Sequence, residues 1–220
     1  MKYLFYVTLI FAVAIPCQGQ TTVLANESDS VSYCLGLVLG TSIKNAGISD
    51  LKSQVFMNAI TDVNSDKALA LTVEQANMYL NQYMGKLSAK KAVENLEKSK
   101  AFLVENGKKE GIKTLPSGLQ YKVIEEGQGN SPVDTSSVTV HYTGTLIDGT
   151  VFDSSIERGE PASFPVNGVI PGWTEALKLM KPGSKWMIYL PPELAYEETG
   201  TRGIEPNTVL IFEVQLISFE

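Results

Sequence analysis

Residues 138–155 read VTVHYTGTLIDGTVFDSS. Val138, Val140 and Tyr142 alternate with Thr139, His141 and Thr143, the period of two that marks a strand with one face toward a core. Asp148-Gly149 then sits between apolar strand ends and marks a turn. The same alternation recurs at Leu119, Tyr121 and Val123, at Trp186, Ile188 and Leu190, and at Leu210, Phe212, Val214 and Leu216. One helix interrupts the strands. Pro171-Gly172 opens it, Trp173, Ala176, Leu177 and Met180 form one face, and Pro182-Gly183 closes it. An antiparallel β-sheet wrapped around one short α-helix is an α+β fold.

Upstream of Gly107 the period is helical. Val31, Leu35, Val38, Leu39 and Ile43 share a face over residues 28–47, with Ser28 or Ser30 as cap and Gly47 as stop. Gly36 and Gly40, four apart, predict close packing against a neighbouring helix. A shorter helix fits 50–63, with Leu51, Val55, Phe56 and Ile60 on one side. Thr72-Val73-Glu74-Gln75 is a capping-box signature, and no proline follows until Pro116. A third helix therefore runs from about 73 to 106, roughly 50 Å at 1.5 Å per residue. Its apolar stripe thins after Ser88 while lysines accumulate, which predicts a solvated stalk. Three such helices enclose too small a core to stand alone, so an all-α homodimerisation domain built by residues 25–90 is expected.

The chain has 220 residues and a formal net charge of −6. Residues 116–220 hold 14 acids and 6 bases, whereas 21–115 hold 10 acids and 11 bases. That asymmetry predicts two domains. An acidic chain lacks the basic footprint of a nucleic-acid binder. With 1 His and 2 Cys it cannot build a four-ligand zinc ribbon, and no metal or cofactor is expected. Lys2 followed by the apolar run Tyr3–Ile15 has the form of a secretory leader over residues 1–19, too short to span a bilayer. Two fates compete: cleavage near Gly19, which is favoured, and lipidation of Cys17, for which Ala14-Ile15-Pro16 is a poor preceding pattern. After cleavage Cys34 is a lone thiol, read as a small buried hydrophobe on its helix rather than half of an intersubunit disulfide. The expected division is leader 1–19, helices 20–106, linker 107–117 and strand domain 118–220.

Several motifs in register now carry a resemblance. Val140-His141-Tyr142-Thr143-Gly144, Asp148-Gly149-Thr150-Val151-Phe152-Asp153-Ser154-Ser155, Val169-Ile170-Pro171-Gly172-Trp173 and Leu194-Ala195-Tyr196 resemble the FKBP-type peptidyl-prolyl isomerases in order and spacing. Leu210-Ile211-Phe212-Glu213-Val214 is similar to that family's closing strand. Ser32-Tyr33 before Gly36, the long helix, and Phe102-Leu103 before Ser117-Gly118-Leu119-Gln120-Tyr121 resemble the macrophage infectivity potentiator class, whose members are exported dimers. The resemblance implies an isomerase of X-Pro bonds that assists folding of exported proteins. It further implies periplasmic or outer-membrane location in a bacterium, proline-containing unfolded polypeptides as substrates, and macrolide binding.

It also implies roles, position by position. Trp173 is the floor of a proline pocket, Tyr142, Phe152 and Phe212 are its walls, and Val169 and Ile170 its rim. The Ile170 N–H meets the carbonyl on the proline side, Tyr196 hydrogen-bonds the residue before it, and Ile204 closes the loop side. Asp153 orients local groups together with Arg158 and transfers no proton. His141 falls on the face opposite Tyr142 by alternation, and no nucleophile elbow surrounds Ser154.

The chain departs from the family pattern at Ala162, where an aromatic is common, and at Pro171, Glu197 and Glu205-Pro206. These changes bear on substrate preference and macrolide affinity rather than on the pocket floor. Acids at Glu197, Glu198 and Glu205 around the rim predict a preference for basic or neutral clients. Two rival functions keep the fold but not the turnover: a chaperone that only holds chains, and a surface interaction protein whose helices are the working part.

Overall fold

In the computed structural model, which describes residues 22–65, 67–201 and 203–220, helices come first and strands follow, in the order in which the sequence period changes. The leader and Cys17 lie outside the described residues. The chain divides between Ala68 and Leu69 into two units.

The first unit holds α1 (Glu27–Asn45) and α2 (Ser53–Asn64). Asn26, not Ser28 or Ser30, caps α1: its backbone is extended and its side chain accepts from the Asp29 N–H at 2.9 Å. Ser30 and Ser32 instead turn their hydroxyls back onto carbonyls four residues earlier. Neither helix buries a single side chain. Val31, Leu35, Val38 and Val55 are all more than half exposed. The close packing expected at Gly36 and Gly40 is not made within the described residues, since nothing lies within 4 Å of a Cβ placed there. Cys34 is exposed, contrary to the expectation of a buried thiol, because α1 has no core to enter.

The second unit begins with α3 (Val73–Gly107), whose capping box is complete: Gln75 N donates to Thr72 Oγ1 at 3.2 Å and Thr72 N to Gln75 Oε1 at 2.9 Å. Met78, Tyr79, Leu80 and Tyr83 in its first half are exposed. The second half is not the solvated stalk that its thin apolar stripe predicts. Ser99 and Asn106 are each 1% exposed, and Phe102 meets Tyr189 at 6.1 Å between ring centres. Polar side chains hold this half against the strands. Gln120 Nε2 donates to the Leu103 carbonyl at 2.8 Å, and Asn106 Nδ2 donates to Gln120 Oε1 at 3.0 Å.

Seven strands follow among the described residues: β1 (Lys113–Thr114), β2 (Gln120–Glu125), β3 (Ser137–Thr145), β4 (Val151–Ser154), β5 (Ala162–Pro165), β6 (Lys185–Leu190) and β7 (Leu210–Phe219). The stretch 107–117 is thus structured, because β1 pairs with β2. The sheet is antiparallel in the order β1-β2-β6-β7-β3-β4, with β5 also on β3. Helices α4 (Ser155–Arg158) and α5 (Pro171–Leu177) complete the unit.

Alternation decides what is buried. Val138 and Val140 of β3, Ile188 and Leu190 of β6, and Leu210, Val214 and Leu216 of β7 are each at most 1% exposed. They close over Ala176, Leu177 and Met180, all fully buried on or just after α5. Each of these Val, Ile, Leu and Met side chains contributes about 1.5–3 kcal/mol relative to exposure. The turn at Asp148-Gly149 forms as expected: Gly149 takes a left-handed φ of 85°, and Leu146 N donates to the Thr150 carbonyl at 2.9 Å. It returns the chain into β4, which sets Gly144 opposite Asp153.

Candidate active site

Where β3, β4 and β7 meet the N-terminus of α5, a cavity of about 320 Å³ opens. Tyr142, Phe152, Asp153, Val169, Ile170, Trp173, Tyr196 and Phe212 line it, together with Phe164 and Gly168. Pro171 at the first position of α5 starts the helix, and Trp173 hangs from its buried face, 4% exposed.

The rings meet edge to face. Trp173 lies 5.2 Å from both Tyr142 and Phe212, at 86° and 87°, and 5.5 Å from Phe164 at 69°. Phe212 in turn stands 5.5 Å from Phe152 at 86°. Such pairs add about 0.5–1.5 kcal/mol each beyond buried area, so the walls are held in place without substrate. Gly144 makes room for them. A Cβ there would come within 2.7 Å of Phe152 Cζ and 2.8 Å of Phe212 Cε1.

The polar side of the cavity is one closed network. Tyr142 OH donates to Asp153 Oδ2, Arg158 Nη1 donates to Asp153 Oδ1, and Arg158 Nη2 donates to Tyr142 Oη at 2.9 Å. The guanidinium also stands 5.5 Å from the Tyr142 ring centre. Burial alone would raise the Asp153 carboxyl, but the bonds from Tyr142 and Arg158 and the guanidinium charge outweigh it and hold the group below its usual range. Burial, then the bond to Asp153, pushes the Tyr142 hydroxyl up, so it stays protonated and donating. Asp153 is thereby a poor base.

Arg158 and Ile204 do not line the cavity. Arg158 acts behind it, through Asp153 and Tyr142. Ile204 is 6% exposed and turned into the core, paired with Thr201 through two 2.9 Å backbone bonds. The Ile170 carbonyl caps α5, accepting from Trp173 N at 3.0 Å, while its N–H has no partner among the described residues. His141 lies on the other face of β3, with Nδ1 3.1 Å from Ser155 Oγ, and Ser154 caps α4. Glu205, expected as a free acid on the rim, is paired with Lys91 of α3.

Phe164 and Gly168 were not foreseen. Ala162 breaks the aromatic pattern, but β5 pairs Ala162 with Val140 and Phe164 with Val138, putting both on one face. The ring absent at 162 is supplied two residues later. Alternation across Ala162-Ser163-Phe164 was the available signal, and the flanking Pro161 and Pro165 obscured it.

A family model described as FKBP-type peptidyl-prolyl cis-trans isomerase matches residues 128–217. A second, described as the domain amino terminal to it, matches 28–123. The chain is 49% identical over 205 residues to the outer membrane protein MIP of Legionella longbeachae, covering 90% of this chain and 88% of that one. It is 46% identical over 205 residues to the peptidyl-prolyl cis-trans isomerase Mip of Coxiella burnetii, covering 90% and 89%. The crystal structure of FkpA from Escherichia coli superposes with a TM-score of 0.67 at 37% identity, over 90% of this chain and 99% of that one. With that similarity running through both halves, the chain belongs to the FKBP-type peptidyl-prolyl cis-trans isomerases and is an enzyme of X-Pro bonds in polypeptides.

Proposed function

We propose that rotation takes place in the aromatic cavity with Trp173 as floor, Tyr142, Phe152 and Phe212 as walls, and Val169 and Ile170 as rim. A peptide bond resists rotation by roughly 18–20 kcal/mol, and X-Pro bonds isomerise over tens of seconds or longer unaided. The planar imide is charge-separated, and the twisted transition state loses much of that separation. An apolar, water-poor cavity therefore favours the twisted form, and each 1.36 kcal/mol gained is tenfold in rate. The Ile170 N–H, without a partner among the described residues, donates to the carbonyl on the proline side. Tyr196, 38% exposed at the mouth, hydrogen-bonds the residue before proline. Asp153 and Arg158 keep the Tyr142 ring against Trp173.

The observation that carries this assignment is the closed Tyr142–Asp153–Arg158 network beside five rings in edge-to-face contact, a site built for shape rather than proton transfer. An isomerisation assay on short X-Pro peptides tests it. Phe152→Ala and Asp153→Ala should each lose at least tenfold in kcat/KM, and parental rates in both would refute the roles.

The enzyme works as an exported homodimer joined through residues 25–90, with proline-containing unfolded chains as clients and macrolides as occupants of the same cavity. Support for the dimer comes from α1 and α2, which bury nothing in one chain while exposing Val31, Leu35, Val38, Val55 and Met57. Export rests on the apolar stretch Tyr3–Ile15 and on relatives such as the outer membrane protein MIP. Among the described residues no helix is long and apolar enough to cross a membrane. Intact mass of the mature protein separates cleavage near Gly19 from lipidation at Cys17.

A further inference from the structure

We propose that residues 91–99 of α3 are a positioning element for catalysis, clamping through Asn207 the loop that carries Tyr196. The inference rests on the assignment of Tyr196 to substrate made above.

Among the described residues of that loop, which spans 191–209, two other than glycine hold left-handed backbone, Glu197 at φ 49° and Asn207 at φ 54°. Asparagine adopts that conformation more readily than most residues, whereas a glutamate keeps it only where its surroundings enforce it. The two are joined to each other: Asn207 N donates to the Glu197 carbonyl at 2.7 Å. Tyr196 is the residue next to that junction.

The enforcement comes from one face of α3. Lys91, Asn95 and Ser99 are spaced four apart, with Ala92 beside them, so they stack along a single side of the helix. Asn207 Nδ2 donates to the Ala92 carbonyl at 3.1 Å. Ser99 Oγ donates to the Asn207 carbonyl at 2.8 Å and accepts from Val209 N at 3.1 Å. Asn95 Nδ2 donates to the Pro206 carbonyl at 3.0 Å and to Glu205 Oε2 at 3.2 Å, and Lys91 is ion-paired with Glu205. The centre of the clamp is dry: Ser99 is 1%, Asn207 7% and Val209 0% exposed. Glu205-Pro206, which departs from the family pattern, forms part of the surface that α3 grips.

The chemistry at stake is the placement of one hydroxyl. Tyr196 can hydrogen-bond the residue before proline only if its loop is fixed to a fraction of an ångström. The clamp's bonds reach the loop backbone on both sides of Asn207 and pass to Glu197 through the Asn207 N–H. A loop released from α3 leaves the aromatic floor intact and lets Tyr196 wander.

The test is a double-mutant cycle in the full-length protein, read as kcat/KM on an X-Pro peptide. Asn207→Gly keeps the left-handed backbone without strain and deletes only the bond to Ala92. It should lower kcat/KM about three- to tenfold when Tyr196 is present and less than about 1.5-fold in a Tyr196→Phe background, because the two act through one contact. Ser99→Ala should behave alike from the helix side, and should it fail to fold, Asn207→Gly alone decides. Equal losses in both backgrounds, or no loss beside an intact Tyr196, overturn the clamp and leave the role of Tyr196 standing. A Tyr196→Phe enzyme as active as the parent removes that role and the clamp with it.

Discussion

Gly144→Ala places a single methyl group where the aromatic walls converge. The Gly144 backbone is not left-handed, so alanine is conformationally allowed there and the effect is steric. The new Cβ would stand 2.7 and 2.8 Å from Phe152 Cζ and Cε2 and 2.8 Å from Phe212 Cε1. Ordinary carbon contacts lie at about 3.5–4.0 Å, so the rings must yield by roughly 1 Å. Phe212 cannot retreat: it is 5% exposed and edge-on to Trp173 and Tyr142. Phe152, only half-buried, gives way into the cavity. Overpacking of this kind costs about 1–3 kcal/mol. The stiffer unfolded chain offsets about 0.4–1 of that, for a net loss of up to about 2.6 kcal/mol. Urea unfolding reads the stability change. Misplacement by about 1 Å at a reacting site can cost on the order of 100-fold, so kcat/KM on an X-Pro peptide should fall at least tenfold. Adding Phe152→Leu relieves the contact and should recover stability without recovering rate. A Gly144→Ala enzyme with parental stability and rate would refute the assignment of Phe152 and Phe212 as tightly seated walls.

Asp153 predicts a pH dependence. Its carboxyl titrates lower in the folded chain than the unfolded value of about 3.9, so its stabilisation is complete above that value and is lost as pH falls through the folded one. The stability gap between the parent and Asp153→Asn should stay constant from about pH 7 to 5 and shrink below about 4, and a gap indifferent to pH would refute the network. Ser155→Ala removes the hydroxyl that accepts Tyr142 N at 2.8 Å and donates to the Tyr142 carbonyl at 3.2 Å. Ser155 is fully buried, so the orphaned N–H should cost about 1–3 kcal/mol in urea unfolding. Leu35→Glu, at a position 60% exposed in the single chain, should convert the dimer to monomer in sedimentation at unchanged peptide turnover. A Leu35→Glu protein that remains dimeric would place the interface elsewhere.

Strands with one buried face were legible because alternation is a local signal, and the core at Val138, Val140, Ile188, Leu190, Leu210 and Val214 followed from it. The rings Tyr142, Phe152, Trp173 and Phe212 were grouped by the family resemblance, not by any local period, and they line one cavity. Short elements escaped. β1 has two residues and β5 four, too few for a period, and β5 ends in a proline. Ile204 shows the limit of position-by-position inference. It is 6% exposed among the core residues and is not part of the cavity lining, and its backbone pairing with Thr201 leaves no mark in the sequence. The cap of α1 moved to Asn26 for a similar reason: three candidate caps stand within five residues, and only backbone geometry chooses among them.

The second half of α3 was misread because the sequence signal for docking is apolar periodicity, and this interface is largely built of polar groups. Ser99, Asn95 and Gln120 bond to main-chain atoms of the opposing segment, and any residue could supply those carbonyls and N–H groups. A main-chain partner has no sequence signature, so serines and asparagines on a lysine-rich helix look solvated until the fold brings the backbone to them. The first half of the same helix shows the reverse, with Met78, Tyr79, Leu80 and Tyr83 exposed although their pattern announces burial. Apolar surface left open calls for another molecule, whereas buried polar surface satisfied within the chain does not. The two halves of α3 therefore differ in kind: the first leaves its apolar side chains open, and the second is held to the strands by polar bonds.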